Sequence, residues 1–149
     1  MIVSLSWLEQ YVSINLDIST LAHALTMAGL EVEAVRDRYS YLQSVPVGKI
    51  VDVRRHPDAD KLTICRVDIG DRETEVVCGA PNAREGLVAP LALPGTELLN
   101  GFKLQKTTIR GVESNGMLCS EVELGLGDGK SGLMELDPHL APGTPLTEA

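Results

Sequence analysis

The side chains best equipped for chemistry lie in His56-Pro57-Asp58-Ala59-Asp60-Lys61-Leu62. An imidazole and two carboxylates this close are donor types that can hold a cation, and hard cations favour clustered carboxylates. The same residues also spell a turn. Pro57 withholds a backbone donor and pushes His56 towards an extended conformation. Asp58 and Asp60 can each bond a nearby backbone N–H. The turn is the better reading, and no metal ligand is assigned. Lys61, beside Asp60, is either a phosphate contact or a solvated cation.

Other candidates divide in the same way. Lys103, Lys106 and Arg110 lie in a stretch, 101–111, that contains no acid. It is the clearest local positive segment. Lys103 and Gln105 share one strand face, Lys106 and Arg110 the other parity, so they need not form one patch. Phe102, in the same stretch, could stack on a base or pack on the body of the fold. Asn82, in Cys78-Gly79-Ala80-Pro81-Asn82, could hold the local backbone or touch an RNA base or phosphate, and the structural role is favoured. Cys78 has no base in sequence view, because His23, His56 and His139 lie in unrelated contexts, so it reads as a buried thiol. Gly125-Leu126-Gly127-Asp128-Gly129-Lys130-Ser131 is not a nucleotide-binding loop. That motif needs a glycine five positions before the one preceding its lysine, and Leu124 stands there.

Bulk properties bound the partners. The chain has 149 residues, 44% hydrophobic, and a formal net charge of −8. It can bury a core, and with 3% aromatics that core must be aliphatic. An acidic balance argues against a strong nonspecific grip on nucleic acid, which depends on cations meeting phosphates, but leaves room for a local basic face. Three cysteines without CxxC spacing argue against a disulfide framework or a zinc site and for free thiols in a reducing compartment. No signal peptide or membrane span is legible, so a cytoplasmic protein is expected.

Two textures divide the chain, at 1–40 and 41–149. In the first, Ser6-Trp7-Leu8-Glu9 reads as a capping box. A second helix is capped by Asp17 or Ser19, has a Leu21/Leu25/Ala28 stripe, and stops at Gly29. Leu30 to Val35 alternates as a strand does. Helix, helix and strand make too small a core to stand alone, so Trp7, Leu8, Tyr11, Leu21, Leu25 and Val32 should pack less completely than the rest. In the second texture, strands are expected near 45–53, 62–69, 73–77, 87–91, 103–109 and 132–136. A helical turn is expected at 81–84 and a short helix at 121–125, after the capping box Ser120-Glu121-Val122-Glu123. Mainly β structure with five main strands, an extra hairpin and a short helix suits a Greek-key barrel of OB type.

His56 to Leu62, Val77-Cys78-Gly79-Ala80-Pro81-Asn82 and Arg110-Gly111-Val112-Glu113-Ser114-Asn115-Gly116-Met117-Leu118-Cys119-Ser120 resemble, in order and spacing, the tRNA-binding OB-fold domain of several aminoacyl-tRNA synthetases. That domain also occurs as a methionyl-tRNA synthetase extension and as a free-standing tRNA-binding protein. Ser6-Trp7-Leu8, Tyr11-Val12, Leu25 to Glu33, Glu121 to Leu126 and Ser131 to Leu136 narrow the resemblance to the start of bacterial phenylalanyl-tRNA synthetase β subunits. The resemblance implies that residues 1–40 are the first part of a split α/β domain and that the chain is an N-terminal fragment without catalytic residues. It implies a parent that joins phenylalanine to tRNA using ATP and magnesium, with no cofactor in this part. It also implies partners: tRNA, the synthetase α subunit and the remaining β-subunit domains, in a heterotetramer. If the barrel touches tRNA, the expected contributors are Lys61, Arg66, Asn82, Lys103, Lys106 and Arg110. From Tyr41 onward there are 11 basic and 16 acidic residues, so a protein–protein scaffolding role that binds little RNA is the rival.

Overall fold

The computed structural model describes residues 1–99, 101–129 and 132–149. It divides into two units, Met1–Asp37 and Arg38–Ala149. In the first, α1 (Leu5–Leu8) is capped at Ser4 rather than Ser6, and Ser4 Oγ instead meets Ser6 Oγ at 2.8 Å. α2 (Ile18–Met27) starts at Asp17, whose carboxylate accepts from Ser19 N and Thr20 N at 3.0 Å. It ends at Gly29, with φ +92°, where Leu30 N folds back to Leu25 O at 2.9 Å. The expected strand at 30–35 is absent, because no neighbouring strand among the described residues supplies its ladder. No described residue in 1–40 is buried; Trp7 and Tyr11 are 52% and 72% exposed.

The second unit is built on five antiparallel strands: β1 (Val47–His56), β2 (Ala59–Asp68), β3 (Glu73–Cys78), β4 (Val88–Ala92) and β7 (Met117–Leu118). Their order across the sheet is β3-β2-β1-β4-β7. β5 (Thr107–Ile109) and β6 (Val112–Ser114) form a separate hairpin. Edge strand β3 is tied to the end of β6 and the residue after it by Val77 N to Ser114 Oγ at 3.0 Å and Asn115 N to Glu75 O at 2.9 Å. The sheet thus curls towards an OB-type barrel. β1 and β2 each run ten residues because Val and Ile supply the inward positions of a pleated, half-buried surface, and both stop at Pro57-Asp58, across which His56 faces Ala59.

The core is aliphatic. Ile50, Val67, Val76, Ala89, Leu91 and Leu118 fill the barrel around Cys65. A second cluster gathers Leu42, Val45, Leu98, Leu104, Cys119, Leu124 and Leu146. All three cysteines are free and buried. Residues beyond the barrel return to it: Val47 N bonds Thr144 O at 2.8 Å, Gly143 N bonds Val47 O at 2.8 Å and Leu146 N bonds Val45 O at 2.9 Å.

Several expected elements differ. Only Thr107–Ile109 of 103–109 is strand; Lys103 makes an isolated bridge to Glu97. Residues 132–136 are not a strand, since their bonds go to three separate segments: Leu133 N to Asn82 Oδ1, Met134 N to Cys119 O and Leu136 N to Val88 O. The Ser120 capping box forms, with Ser120 N to Glu123 Oε2 at 2.7 Å, but encloses a turn instead of a helix. Residues 81–84 likewise make a turn, closed by Ala83 N to Ala80 O. Lys130 and Ser131 of the glycine-rich run lie outside the described residues.

Candidate nucleic-acid interface

The outer face of the β1–β2–β3 sheet carries arginines and acids in alternation, and register neutralises them. Arg66 lies opposite Glu75 in the β2–β3 ladder. Its Nε meets Glu73 at 3.2 Å, while Arg54 Nη2 reaches Glu75 at 2.6 Å. These side chains are about half exposed, so the pairs contribute little stability. Their consequence is electrostatic: a phosphate approaching Arg66 meets a carboxylate as well. Lys106 is similarly tied, at 2.8 Å, to Glu113 across the β5–β6 hairpin, and that lysine holds the Glu113 carboxyl below its usual range.

Arg55, Lys61, Lys103 and Arg110 have no carboxylate within 4.0 Å among the described residues. All four are exposed. Three belong to the adjoining ends of two hairpins. Arg55 and Lys61 flank the β1–β2 turn, and Arg110 forms the β5–β6 turn, where Arg110 and Gly111 both have positive φ, +47° and +82°. Two left-handed residues are what the tight two-residue hairpin turn requires. The ends are joined by Arg110 Nη1 donating to Asp58 O at 3.1 Å and by His56, whose Nε2 lies 2.9 Å from Ile109 O. Lys103 is set apart, on the segment bridged to Glu97.

The structure therefore places Lys61 and Arg110 on two adjoining hairpin ends, with Arg66 and Lys106 in ion pairs and Lys103 on a separate segment. Phe102 is 54% exposed instead of packed into the core. Arg55 is a further exposed cation at these ends that sequence reasoning did not single out, although the Arg54-Arg55 pair ahead of the turn is a visible signal. The turn is held by Asp58 N donating to His56 Nδ1 at 3.1 Å, so the histidine does the bonding expected of the aspartates. Among the described residues no group of three His, Cys, Asp or Glu side chains could hold a metal. Cys65, through its bond to Cys78 and then its burial, is held protonated. Burial pushes Cys119 up to about 12. No helix among the described residues is long and apolar enough to cross a membrane.

Asn82 is committed within the chain. Its Oδ1 accepts from Leu133 N at 2.8 Å, and its Nδ2 donates to Leu133 O at 3.0 Å and Glu135 Oε1 at 3.1 Å. Arg84 completes the clamp with two parallel bonds to Glu135, at 2.9 and 2.8 Å, a geometry that charged partners favour. Arg84, then Asn82, draw the Glu135 carboxyl from 4.5 to about 2. A depressed carboxylate pKa stabilises above its unfolded value and ceases to do so as pH falls through the folded one. This clamp is thus at full strength above about pH 5 and lost on acidification towards pH 2. An NMR titration of the Glu135 side-chain carbon should inflect near 2; an inflection near 4.5 would mean that the clamp does not form.

Comparison with known proteins gives the family. The family described as "Putative tRNA binding domain" matches residues 45–145. The phenylalanine–tRNA ligase β subunit of Syntrophotalea carbinolica is 49% identical over 148 residues, 99% of this chain. That of Syntrophus aciditrophicus is 48% identical over 146 residues, and that of Pseudomonas fluorescens strain Pf0-1 is 48% identical over 137. The chain spans 17–18% of the length of these relatives. Among solved structures, a methionyl-tRNA synthetase-related protein from Pyrococcus horikoshii shares the fold, with a TM-score of 0.55 and 20% identity over 76% of this chain and 98% of that one.

Proposed function

The chain belongs to the tRNA-binding domain family, and from that membership we propose that its barrel is the RNA-contacting and architectural module of a phenylalanine–tRNA ligase β subunit. The identity to such subunits along 99% of the chain supports the parent. In this reading the parent is a cytoplasmic enzyme that joins phenylalanine to its tRNA with ATP and magnesium. The present residues supply no chemistry and hold no cofactor. Residues 1–40 are the first part of a split α/β domain, and the α subunit and the remaining β-subunit domains are the protein partners, in a heterotetramer.

The observation that carries RNA contact is the sorting of charge. The sheet-face arginines are neutralised, whereas Arg55, Lys61 and Arg110 at the hairpin ends, with Lys103 nearby in sequence, are not. So few cations give weak, salt-sensitive binding. Two to four phosphate contacts imply a log–log salt slope of roughly −1.5 to −3.5 and a dissociation constant no tighter than about micromolar at physiological salt. Recognition by shape is expected, because the barrel offers no set of aromatics to read bases. Titration of labelled tRNA at several salt concentrations checks both numbers. Arg66→Ala should change affinity little and Lys61→Ala should weaken it. The reverse order would place the contact on the sheet face.

A scaffolding role with little RNA binding is the second reading, favoured by the paired sheet face and by 16 acidic against 11 basic residues from Tyr41 onward. Absence of tRNA binding even at low salt would select it.

A further inference from the structure

We propose that His56 is the positioning residue of the RNA contact: its ring locks the two hairpin ends together and so fixes Arg110 beside the β1–β2 turn. The proposal rests on the tRNA-contacting reading above. His56 is 4% exposed, one of three buried polar residues among those described. Both ring nitrogens are engaged. A backbone N–H can only donate, so the bond from Asp58 N makes Nδ1 the lone-pair nitrogen. The proton then sits on Nε2, which donates to Ile109 O. The tautomer follows from the partners.

One ring thus grips the β1–β2 turn with one nitrogen and, with the other, the residue just before Arg110. Capping the turn needs only Nδ1. The second bond spans 53 residues of sequence and has no part in the turn. Arg110 requires such support. It is the only non-glycine residue at positive φ among those described, a conformation that side chains other than glycine's disfavour. Its guanidinium gives one bond to Asp58 O, on the same turn that His56 caps. A guanidinium has five N–H donors, and held in this way it can offer the others to a phosphate without first being ordered. That lowers the entropic cost of contact.

A double-mutant cycle on tRNA affinity at low salt tests this. His56→Asn keeps the local cap, since an asparagine carbonyl bonds the N–H two residues on, but is too short to hold Ile109. His56→Gln can reach further, with a carbonyl to accept and an amide to donate. Arg110→Ala in the native chain should weaken binding about three- to ten-fold, the size of one charge-assisted contact. His56→Asn should weaken it similarly, the double variant no further, and His56→Gln should restore part of the loss. The amide signals of Ile109 and Gly111 should broaden or shift in His56→Asn and return towards native in His56→Gln. A full Arg110→Ala effect persisting in the His56→Asn background would overturn this proposal alone. A silent Arg110→Ala in the native chain would overturn it together with the hairpin-end contact on which it rests.

Discussion

Asn82→Ala is expected to lower the unfolding free energy by about 2–4 kcal/mol, because it leaves two main-chain groups of Leu133 unpaired near the core. The carboxamide acts as a surrogate strand, accepting from Leu133 N and donating to Leu133 O across 51 residues of sequence. Leu133 itself is 7% exposed and packs in the barrel cluster, so water has poor access to replace the lost bonds. Loosening the clamp should also release Glu135 and with it the bidentate Arg84 pair. Urea unfolding measures the change, and a loss below about 1 kcal/mol would show that solvent substitutes freely. A second measurement sharpens the point. A Cβ at Gly132 would sit 2.2 Å from Asn82 Oδ1. Gly132→Ala should therefore cost clearly less in the Asn82→Ala background than in the native chain, a non-additivity that contacting residues show and distant ones do not.

Gly143→Ala should cost about 3 kcal/mol, through backbone strain and collision together. Gly143 has φ +89°, and a Cβ there would lie 2.5 Å from Ile69 O; a Cβ on Gly70, with φ +91°, would lie 2.6 Å from Pro142 O in the reciprocal way. Two main chains meet at their glycines, and the Gly143 chain cannot retreat without breaking the bonds that Gly143 and Thr144 make to Val47. The conformational part is about 1–2 kcal/mol, and displacement of packed neighbours typically adds about 1–3 kcal/mol. Gly86 and Gly95 provide the control, with φ +83° and +97° and open space for 4 Å around the point a Cβ would occupy. Alanine there should cost the conformational part alone. Equal unfolding midpoints for Gly143→Ala and Gly86→Ala would remove the collision from the account.

Features encoded locally were legible. Asp17 caps α2 and Gly29 ends it as their positions require, and Pro57 stops β1 where it must. Leu30 to Val35 alternates convincingly but is not a strand, because alternation specifies a face and not the neighbour that must pair with it. Residues 132–136 failed for the opposite reason: their partners exist, but they are three separate segments, at Asn82, Cys119 and Val88. At the candidate interface, Lys61 and Arg110 could be named as cations from type alone. That Arg66 would be neutralised by Glu73 follows only from the β2–β3 register. His56 was visible as a chemically able side chain, yet its second bond is to a carbonyl, which any residue carries and no pattern marks.

The pairing of 143–146 with 45–47 means that the polypeptide leaves the barrel next to where it came in. Pro46 bridges Pro145, and Leu146 N bonds Val45 O at 2.9 Å, so the two ends of the barrel stand about one strand spacing apart, roughly 5 Å. To anything outside it, the whole barrel is a short stitch. It can be grafted into, or lifted from, a surface loop of another fold with little change in the distance the host must span, so the closure penalty is that of a small gap and not of a hundred-residue insertion.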